Sequence, residues 1–371
     1  MAELPPFTTP LFSPLTIRGV TFRNRVVLAP MCQYRAIDGV AQRWHRSHHG
    51  RLALGGLGGA LLEATAVAAE GRITPGGLGI WDDAQLPGLK ELVAIYHEEG
   101  VPVGIQLAHA GRKAAAATPF DGAQPLGPDD PQFWQSVAPS AIPFGPGWQA
   151  PRALDEAGIA AVIDQFAAAA RRAMAAGFDF VEVHGAHGYL VNSFVSPISN
   201  TRDDGWGGDQ RFRFAIEVTR AVRAAVGEDV PVFYRTSSVD GVDGGITMAD
   251  TVALARQLKA AGADVIDCST GGVLGPSGVA SVPPSPGYLV PYASEVRRQA
   301  GVASMAVGLI MDGALANRII AEGEADLVAV GRQLLADPAF VHRAALDLGH
   351  PQPHRLLPQG LGFWLERRKF S

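Results

Sequence analysis

The chain has 371 residues, of which 47% are hydrophobic and 18% charged, and its formal net charge at pH 7 is −5. This hydrophobic fraction supplies a large core and excludes an intrinsically disordered protein. The negative balance offers no basic surface for nucleic acid or for an anionic membrane. Two cysteines, Cys32 and Cys268, are too few for a disulfide framework or a four-thiolate metal site.

Neither a membrane span nor a secretory leader is predicted. No apolar stretch reaches the roughly 20 residues that a transmembrane helix needs, because Glu63 interrupts the best candidate. The first twelve residues contain Glu3 and three prolines, and they lack the basic start of a signal peptide. We therefore expect a soluble, cytoplasmic, globular protein.

Short apolar runs alternate along the chain with longer segments of helical periodicity. The runs are nearly continuous, as expected of parallel strands that are covered on both faces. The predicted strands span residues 26–30, 59–67, 102–109, 178–185, 230–237, 264–269, 303–308 and 326–331. The predicted helices span residues 86–99, 155–176, 210–226, 248–261, 290–299, 313–322 and 333–346.

Eight strands separated by helices predict an α/β protein with a single (β/α)8 TIM barrel covering residues 1–371, because a parallel βα repeat closes at about that number. An open, doubly wound sheet is the alternative. Residues 111–152, which follow the third strand, contain eight prolines and predict a lid or binding loop. The tail, residues 351–371, is polar until Phe363 and Trp364, and these aromatics indicate that it docks on another surface.

The end of the fourth strand carries the strongest functional signal. Residues at the C-terminal ends of barrel strands lie where active sites are built, and this strand runs into His184, His187 and Tyr189 with glycines between them. Glycine lets the chain leave the strand, so that both imidazoles and the phenol reach one pocket. Three such donors can polarise a carbonyl group and deliver a proton. Metal ligation and a purely structural histidine pair are the alternatives, although Glu182 is the only carboxylate nearby on the strand.

Other strand ends also carry polar groups. Cys32 and Tyr34 follow the first strand, and Gln106 lies near the end of the third. Arg235 lies near the end of the fifth, where a buried cation needs either a ligand anion or a structural ion pair.

The last two strands predict a phosphate-bearing cofactor. They finish at Gly308 and at Gly331-Arg332. Barrels frequently bind phosphate in these two loops, where glycine permits close approach of the backbone and arginine adds a bidentate donor.

Several ordered motifs resemble the Old Yellow Enzyme family of FMN-dependent ene reductases, in particular its bacterial xenobiotic-reductase and thermophilic-like branch. The resemblance runs along essentially the whole chain. It rests on Leu11-Phe12-Ser13-Pro14-Leu15, Asn24-Arg25, Ala29-Pro30-Met31-Cys32-Gln33-Tyr34, Gly71-Arg72, Gln106-Leu107-Ala108-His109-Ala110-Gly111-Arg112-Lys113, His184-Gly185-Ala186-His187-Gly188-Tyr189-Leu190, Ser196-Pro197, Asn200-Thr201-Arg202, Gly207-Gly208 and Gly331-Arg332.

The resemblance implies FMN across the barrel mouth and no metal. The residues implied to contact the flavin ring are Ala29, Pro30, Met31, Cys32 and Ala64, with Gln106 on its pyrimidine edge and Arg235 beside N1 and O2. Gly308, Gly331 and Arg332 are implied to hold the phosphate. Cys32 would tune the flavin potential.

The resemblance also implies an activity. NADPH or NADH would reduce FMN, and hydride from flavin N5 would then reduce the activated C=C bond of a small enone, enal, maleimide or nitroalkene. His184 and His187 would bind the substrate oxygen, Tyr189 would donate the proton, and Tyr34 would be a further substrate contact. A homodimer or homotetramer is implied, in which Trp364, Arg367 or Arg368 enters the neighbouring active site.

Three other functions stay open on the sequence. The first is an FMN-dependent tRNA dihydrouridine synthase, which requires the basic surface that a net charge of −5 does not provide. The second is a metal-dependent barrel hydrolase or aldolase that uses His184 and His187 as ligands. The third is a flavin-binding protein without catalytic activity.

Overall fold

The computed structural model describes residues 9–275 and 284–368. Its centre is a closed barrel in which each strand pairs in parallel with the next and the last pairs with the first, which confirms the predicted (β/α)8 barrel and contradicts the open sheet. The barrel strands are β1 (Val26–Leu28), β2 (Gly59–Ala66), β3 (Val103–Ala108), β4 (Phe180–Gly185), β5 (Val232–Ser237), β6 (Val265–Ser269), β7 (Ala303–Ala306) and β8 (Leu327–Val330).

Helices surround the barrel and follow its strands. They are α1 (Arg43–Ala53), α2 (Leu86–His97), α3 (Glu156–Ala176), α4 (Leu190–Val195), α5 (Arg213–Val226), α6 (Met248–Ala260), α7 (Val290–Ala300), α8 (Gly313–Ala321), α9 (Arg332–Ala336), α10 (Phe340–Asp347) and α11 (Gln359–Glu366). The longest, α3, is capped as its sequence predicts. The Asp155 carboxylate accepts a hydrogen bond from the Gly158 N–H, and Gly177 follows the helix at φ 93°.

The predicted helices differ from the structure at four places: one of them is divided in two, and α1, α4 and α11 have no predicted counterpart. The helix predicted over residues 333–346 is interrupted between α9 and α10, where Pro338 lacks a backbone N–H for a continuous helix. Helix α1 was not predicted, because its buried face carries His45, His48 and His49 in place of aliphatic residues. A hydrophobic-periodicity argument does not detect such a face.

An aromatic cluster fills the N-terminal end of the barrel. Phe22, Phe180 and Phe233 are fully buried, and the Phe180 ring centroid lies 5.3 Å from that of Phe22 and 5.0 Å from that of Phe233. Phe22 belongs to an antiparallel hairpin formed by Leu15–Ile17 and Val20–Phe22, outside the barrel sheet. The hairpin therefore closes this end, and the polar side chains lie toward the other end.

Residues 111–152 form an irregular segment with two short helical turns and a two-stranded pairing of Val137–Ala138 with Arg152–Ala153. The buried Arg112 ties this segment to the loop after β6 by donating to the Val273 carbonyl oxygen at 2.6 Å, and it also donates to the Pro143 carbonyl oxygen within the segment at 3.2 Å. Its position beside the loop that follows β6 brings it to the mouth.

The C-terminal tail ends in helix α11, on which Trp364 is 71% exposed. Lys369 and the first eight residues, to which the leader argument applied, lie outside the described residues. Within the described ranges, none of the helices has both the length and the apolar character of a membrane span.

Gly104 on β3 tests the packing of the aromatic cluster. A Cβ at this position would lie 2.5 Å from the Phe180 ring, so Gly104→Ala is expected to lower the free energy of unfolding by about 1–3 kcal/mol. A Cβ on Gly50 in α1 would meet no atom within 4 Å, so Gly50→Ala is expected to raise it by about 0.5–1 kcal/mol. Chemical denaturation measures both variants, and effects of the same sign would contradict this packing account.

Candidate active site

The structure brings His184, His187 and Tyr189 together at the end of β4. The ring centroids of His184 and His187 are 5.1 Å apart, those of His184 and Tyr189 4.9 Å, and those of His187 and Tyr189 6.5 Å. The three rings meet edge to face, at interplanar angles of 79° to 86°. Two imidazoles and one phenol thus face a common space.

A tight turn makes this convergence possible. His187 has φ 62° and Gly188 has φ 71°, which is the left-handed region that glycine adopts without steric cost. A Cβ on Gly188 would lie 2.1 Å from the Gly272 carbonyl oxygen. Glycine is therefore required at position 188 both by its backbone conformation and by its neighbour.

Hydrogen bonds orient the two imidazoles. The Ala186 N–H donates to Nδ1 of His184 at 3.2 Å, so that in the neutral ring Nε2 carries the proton and is available as a donor. The backbone N–H of His187 donates to Ser237 Oγ at 2.8 Å, and Nε2 of His187 lies 2.7 Å from Ser269 Oγ. Ser237 and Ser269 were not predicted, although they end β5 and β6 at the level of the histidines.

Electrostatics keep this group of side chains neutral. Burial, followed by the Arg235 guanidinium, lowers the pKa of both His184 and His187 well below 6.5. Burial, followed by Cys32, raises the pKa of the Tyr189 phenol. At neutral pH the site therefore presents two uncharged imidazoles and a protonated phenol.

Lys113 supports the histidine turn from the irregular segment. Its Nζ donates to the carbonyl oxygens of His187, at 2.9 Å, and Gly272, at 3.1 Å, and lies 5.1 Å from the Tyr189 ring centroid. Burial, followed by Arg112, lowers the pKa of Lys113 to about 7. Lys113, at the end of the Gln106–Lys113 motif, thus holds the turn that carries His187.

The loop after β1 brings Cys32 and Tyr34 to a small cavity that they share with Ala64. A bulge in β2 between Leu62 and Ala64 shifts the strand register there. Burial, followed by Glu63, raises the pKa of the Cys32 thiol to about 12, so the thiol stays protonated. The Tyr34 ring centroid lies 5.9 Å from that of Phe120 in the irregular segment.

The predicted phosphate-binding residues line a second cavity, of about 450 Å³, together with His187 and Arg235. Its wall includes Gly308, Gly331 and Arg332. Gly308 has φ 117°, and a Cβ there would lie 3.0 Å from the Leu289 side chain. The backbone around Ala29, Pro30 and Met31 adjoins this wall, since the Ala29 N–H donates to the Val330 carbonyl oxygen at 3.0 Å.

These residues fit FMN on the chemistry of the donors that they offer. Arg332 and the glycine backbone supply donors for a phosphate. Arg235 Nε is buried and has no hydrogen-bond partner among the described residues, although it lies 3.3 Å from the Asp267 carboxylate. A buried donor that has an ion-pair partner but still lacks a hydrogen bond is typical of a place that a ligand completes.

Two further expectations concern Trp364 and a metal ion. Trp364, on α11, is absent from the walls of the two cavities described above, so one copy of the chain, within the described residues, does not bring it to the site. Among residues 9–275 and 284–368, no three His, Cys, Asp or Glu side chains group closely enough to hold a metal ion.

Comparisons with known proteins agree with the barrel fold. The sequence matches the NADH:flavin oxidoreductase / NADH oxidase family over residues 10–350. It is 45% identical over 345 residues to an NADPH dehydrogenase of Geobacillus sp. (strain WCH70), covering 92% of this chain and 95% of the relative. It is 42% identical over 343 residues to an NADPH dehydrogenase of Listeria innocua, covering 91% of this chain and 95% of the relative.

Solved structures are similar as well. Morphinone reductase superposes with a TM-score of 0.76 at 28% identity, over 92% of this chain and 91% of the other. An old yellow enzyme homologue from Zymomonas mobilis superposes with a TM-score of 0.73 at 27% identity, over 88% of this chain and 90% of the other. A 2-naphthoyl-CoA reductase superposes with a TM-score of 0.81 at 26% identity. The match covers 92% of this chain and 53% of that longer protein.

The match to the family covers most of the chain, and the curated relatives match over nearly their whole length. The chain therefore belongs to the NADH:flavin oxidoreductase / NADH oxidase family, the Old Yellow Enzyme group, and is an NAD(P)H-dependent oxidoreductase with FMN as its cofactor.

Proposed function

We propose that this enzyme uses NADPH or NADH to reduce the activated C=C bond of small electron-poor alkenes: enones, enals, maleimides and nitroalkenes. The convergence of His184, His187 and Tyr189 beside the Arg235 cavity carries this proposal. FMN, when bound, supplies the hydride for the alkene carbon. The protein supplies the hydrogen-bond donors, the proton and the binding pocket.

The two histidines activate the substrate. A conjugated C=C bond accepts hydride more readily when its carbonyl or nitro oxygen receives hydrogen bonds, because negative charge develops on that oxygen. His184 offers its Nε2–H for this purpose, since its Nδ1 already accepts from the Ala186 N–H. His187, whose Nε2 lies 2.7 Å from Ser269 Oγ, binds the same oxygen through its Nδ1–H, and both rings donate while uncharged.

Tyr189 provides the proton that completes the reduction. Its raised pKa keeps the phenol protonated at neutral pH, so the group is present as an acid at each turnover. Tyr34 contacts the substrate from the loop after β1, and Cys32 next to it adjusts the flavin potential as an uncharged thiol.

The cofactor contacts that we propose include residues that line the two cavities and four that the family resemblance adds. Cys32 and Ala64 along the ring, Arg235 at its polar edge, and Gly308, Gly331 and Arg332 at the phosphate line the cavities. The resemblance adds Ala29, Pro30 and Met31 along the ring and Gln106 at its polar edge. We further propose that the enzyme acts in the cytoplasm, where its two unpaired cysteines stay reduced.

We also propose a homodimer or homotetramer in which the tail of one copy completes the site of another. Helix α11 exposes Leu361, Phe363 and Trp364, at 46%, 46% and 71% respectively. Such a run of exposed apolar side chains is typical of a surface that another chain covers. Arg367, whose guanidinium lies 3.6 Å from the Phe363 ring centroid, belongs to the same group.

Tyr189→Phe tests the proton donor. Loss of a positioned acid is expected to slow alkene reduction by about 10²–10⁴-fold, while reduction of bound FMN by NADPH stays within a few-fold. Stopped-flow absorbance separates the two half-reactions. Tyr96→Phe, which removes a buried phenol that contacts His49 at 2.8 Å, is the matched control and leaves both rates unchanged. An equal fall in both half-reactions of Tyr189→Phe would show that the phenol has another role.

The pH dependence of ligand binding tests the neutral imidazoles. Because both histidine pKa values lie well below 6.5, the dissociation constant of an uncharged cyclic ketone is expected to stay constant between about pH 8 and pH 6 in a Lys113→Met variant, which lacks the neighbouring amine whose pKa is about 7. An unperturbed histidine titrates near pH 6.5 and would change the constant over that range. Spectral titration of the holoenzyme measures it, and a transition centred near pH 6.5 is the contrary result.

Trp364→Ala tests the contribution of the tail. In an oligomer that shares its sites, this change is expected to raise KM for a bulky enone while NADPH still reduces the bound FMN. Light scattering gives the number of copies, and Leu346→Ala, which truncates another exposed apolar side chain, serves as the control. A wild-type enzyme that is monomeric and fully active would refute the shared site.

A further inference from the structure

Four buried polar side chains lie on consecutive strands between the aromatic cluster and the mouth. Gln106 on β3 and Arg235 on β5 are the proposed cofactor contacts, and Glu182 on β4 and Asp267 on β6 are carboxylic acids. All four are at least nine-tenths buried, and both acids are fully buried.

The four side chains form two matching pairs. Gln106 Nε2 donates to Glu182 Oε1 at 2.8 Å, and the two residues are register partners across β3 and β4. Arg235 Nε lies 3.3 Å from Asp267 Oδ2, and these are register partners across β5 and β6. In each pair, one strand carries the cofactor contact and the next strand carries an acid beside it.

We propose that Glu182 and Asp267 are positioning residues for FMN: Glu182 fixes the orientation of the Gln106 amide, and Asp267 holds the Arg235 guanidinium. This inference rests on the proposed function, since it takes Gln106 and Arg235 as cofactor contacts. Carboxyl groups buried this deeply are costly unless they are paired, which makes two of them beside the cofactor cavity a specific feature of this barrel.

The first pair, Gln106 and Glu182, determines which atom of the Gln106 amide faces the flavin. The oxygen and nitrogen of a glutamine amide are similar in size, so the hydrogen-bond network sets their orientation. Because Nε2 of Gln106 donates to Glu182 Oε1, a protonated Glu182 carries its proton on Oε2, and the Gln106 carbonyl oxygen is left as an acceptor. An acceptor suits the N–H of the flavin pyrimidine, whereas the reversed amide would place a donor against a donor.

The second pair, Arg235 and Asp267, determines the charge state of Glu182. Burial, followed by Asp267, raises the pKa of Glu182 to about 8, and burial also raises the pKa of Asp267 while Arg235 opposes that rise. Since Asp267 contacts the guanidinium, it carries the negative charge and Glu182 holds the proton at pH 7. The charged or polar groups facing Glu182 are Asp267, Arg235 and Gln106. The net charge of these four side chains is zero below about pH 8.

A double-mutant cycle tests the link between Glu182 and Gln106. Gln106→Met and Glu182→Met are each expected to weaken FMN binding about tenfold, measured from the flavin fluorescence released on dilution of the holoenzyme. The double variant is expected to match Gln106→Met within about twofold, because Glu182 acts through Gln106. Asp240→Asn removes an equally buried acid that bonds Ser196 and Ile246 instead and is expected to leave FMN binding unchanged.

The outcomes of the cycle are distinct. If Gln106→Met binds FMN as the wild type does, the proposed Gln106 contact is wrong, and the inference falls with it. If both single variants weaken binding and their effects multiply in the double variant, the Gln106 contact stands and the positioning role of Glu182 is overturned.

The midpoint potential of the bound flavin provides a second test that does not depend on Glu182→Met folding. Above about pH 8 the ionised Glu182 adds a negative charge that opposes reduction, so the wild-type potential is expected to fall more steeply with pH there. Glu182→Gln keeps an acceptor for Gln106 but cannot ionise, so this added slope is expected to vanish. The same profile in both proteins would overturn the role of Glu182.

Asp267 is tested in the Glu182→Gln background, where no second acid is left to pair with Arg235. Adding Asp267→Asn leaves the guanidinium uncompensated, and the midpoint potential is expected to shift to more positive values than in Glu182→Gln alone. An unchanged potential would show that Asp267 does not control the charge of Arg235 and would overturn its role.

Discussion

The active site depends on the alternation of side chains along the strands of a closed barrel. Inward-facing positions on β4 are Phe180, Glu182 and His184, which pass from an aromatic ring through a buried acid to an imidazole at the mouth. Strand β5 repeats the order with Phe233, Arg235 and Ser237. The β4–β5 pairing sets Glu182 opposite Phe233 and His184 opposite Arg235, so the two series are offset by one inward position along the sheet.

This order along the strands determines the electrostatics of the site. The aromatic end excludes water from below, so the buried charges between it and the mouth act through a medium of low dielectric. Arg235 is the cation among them, and burial together with its field keeps both histidines uncharged. The same cation faces the cavity proposed for FMN, so one guanidinium influences both the cofactor and the substrate donors.

The sequence predicted the barrel well because parallel strands buried on both faces read as continuous apolar runs, and each such run became a strand. It also indicated that His184, His187 and Tyr189 would share a pocket, since glycines flank them at a strand end. Helix α1 could not be predicted from hydrophobic periodicity, because histidines occupy its buried face. Glu182 and Asp267 gave no signal of a positioning role, since pairing between strands is visible only once the register is known.

The convergence of two neutral imidazoles and a phenol beside the flavin is the central claim. Titration of the holoenzyme with a small para-substituted phenol measures it most directly, because an aromatic ligand bound against the isoalloxazine perturbs the visible spectrum of the flavin. We expect saturable binding in the wild type and binding weakened by more than about tenfold when His184 and His187 are both replaced by alanine. Equal affinities in the two proteins would contradict the account.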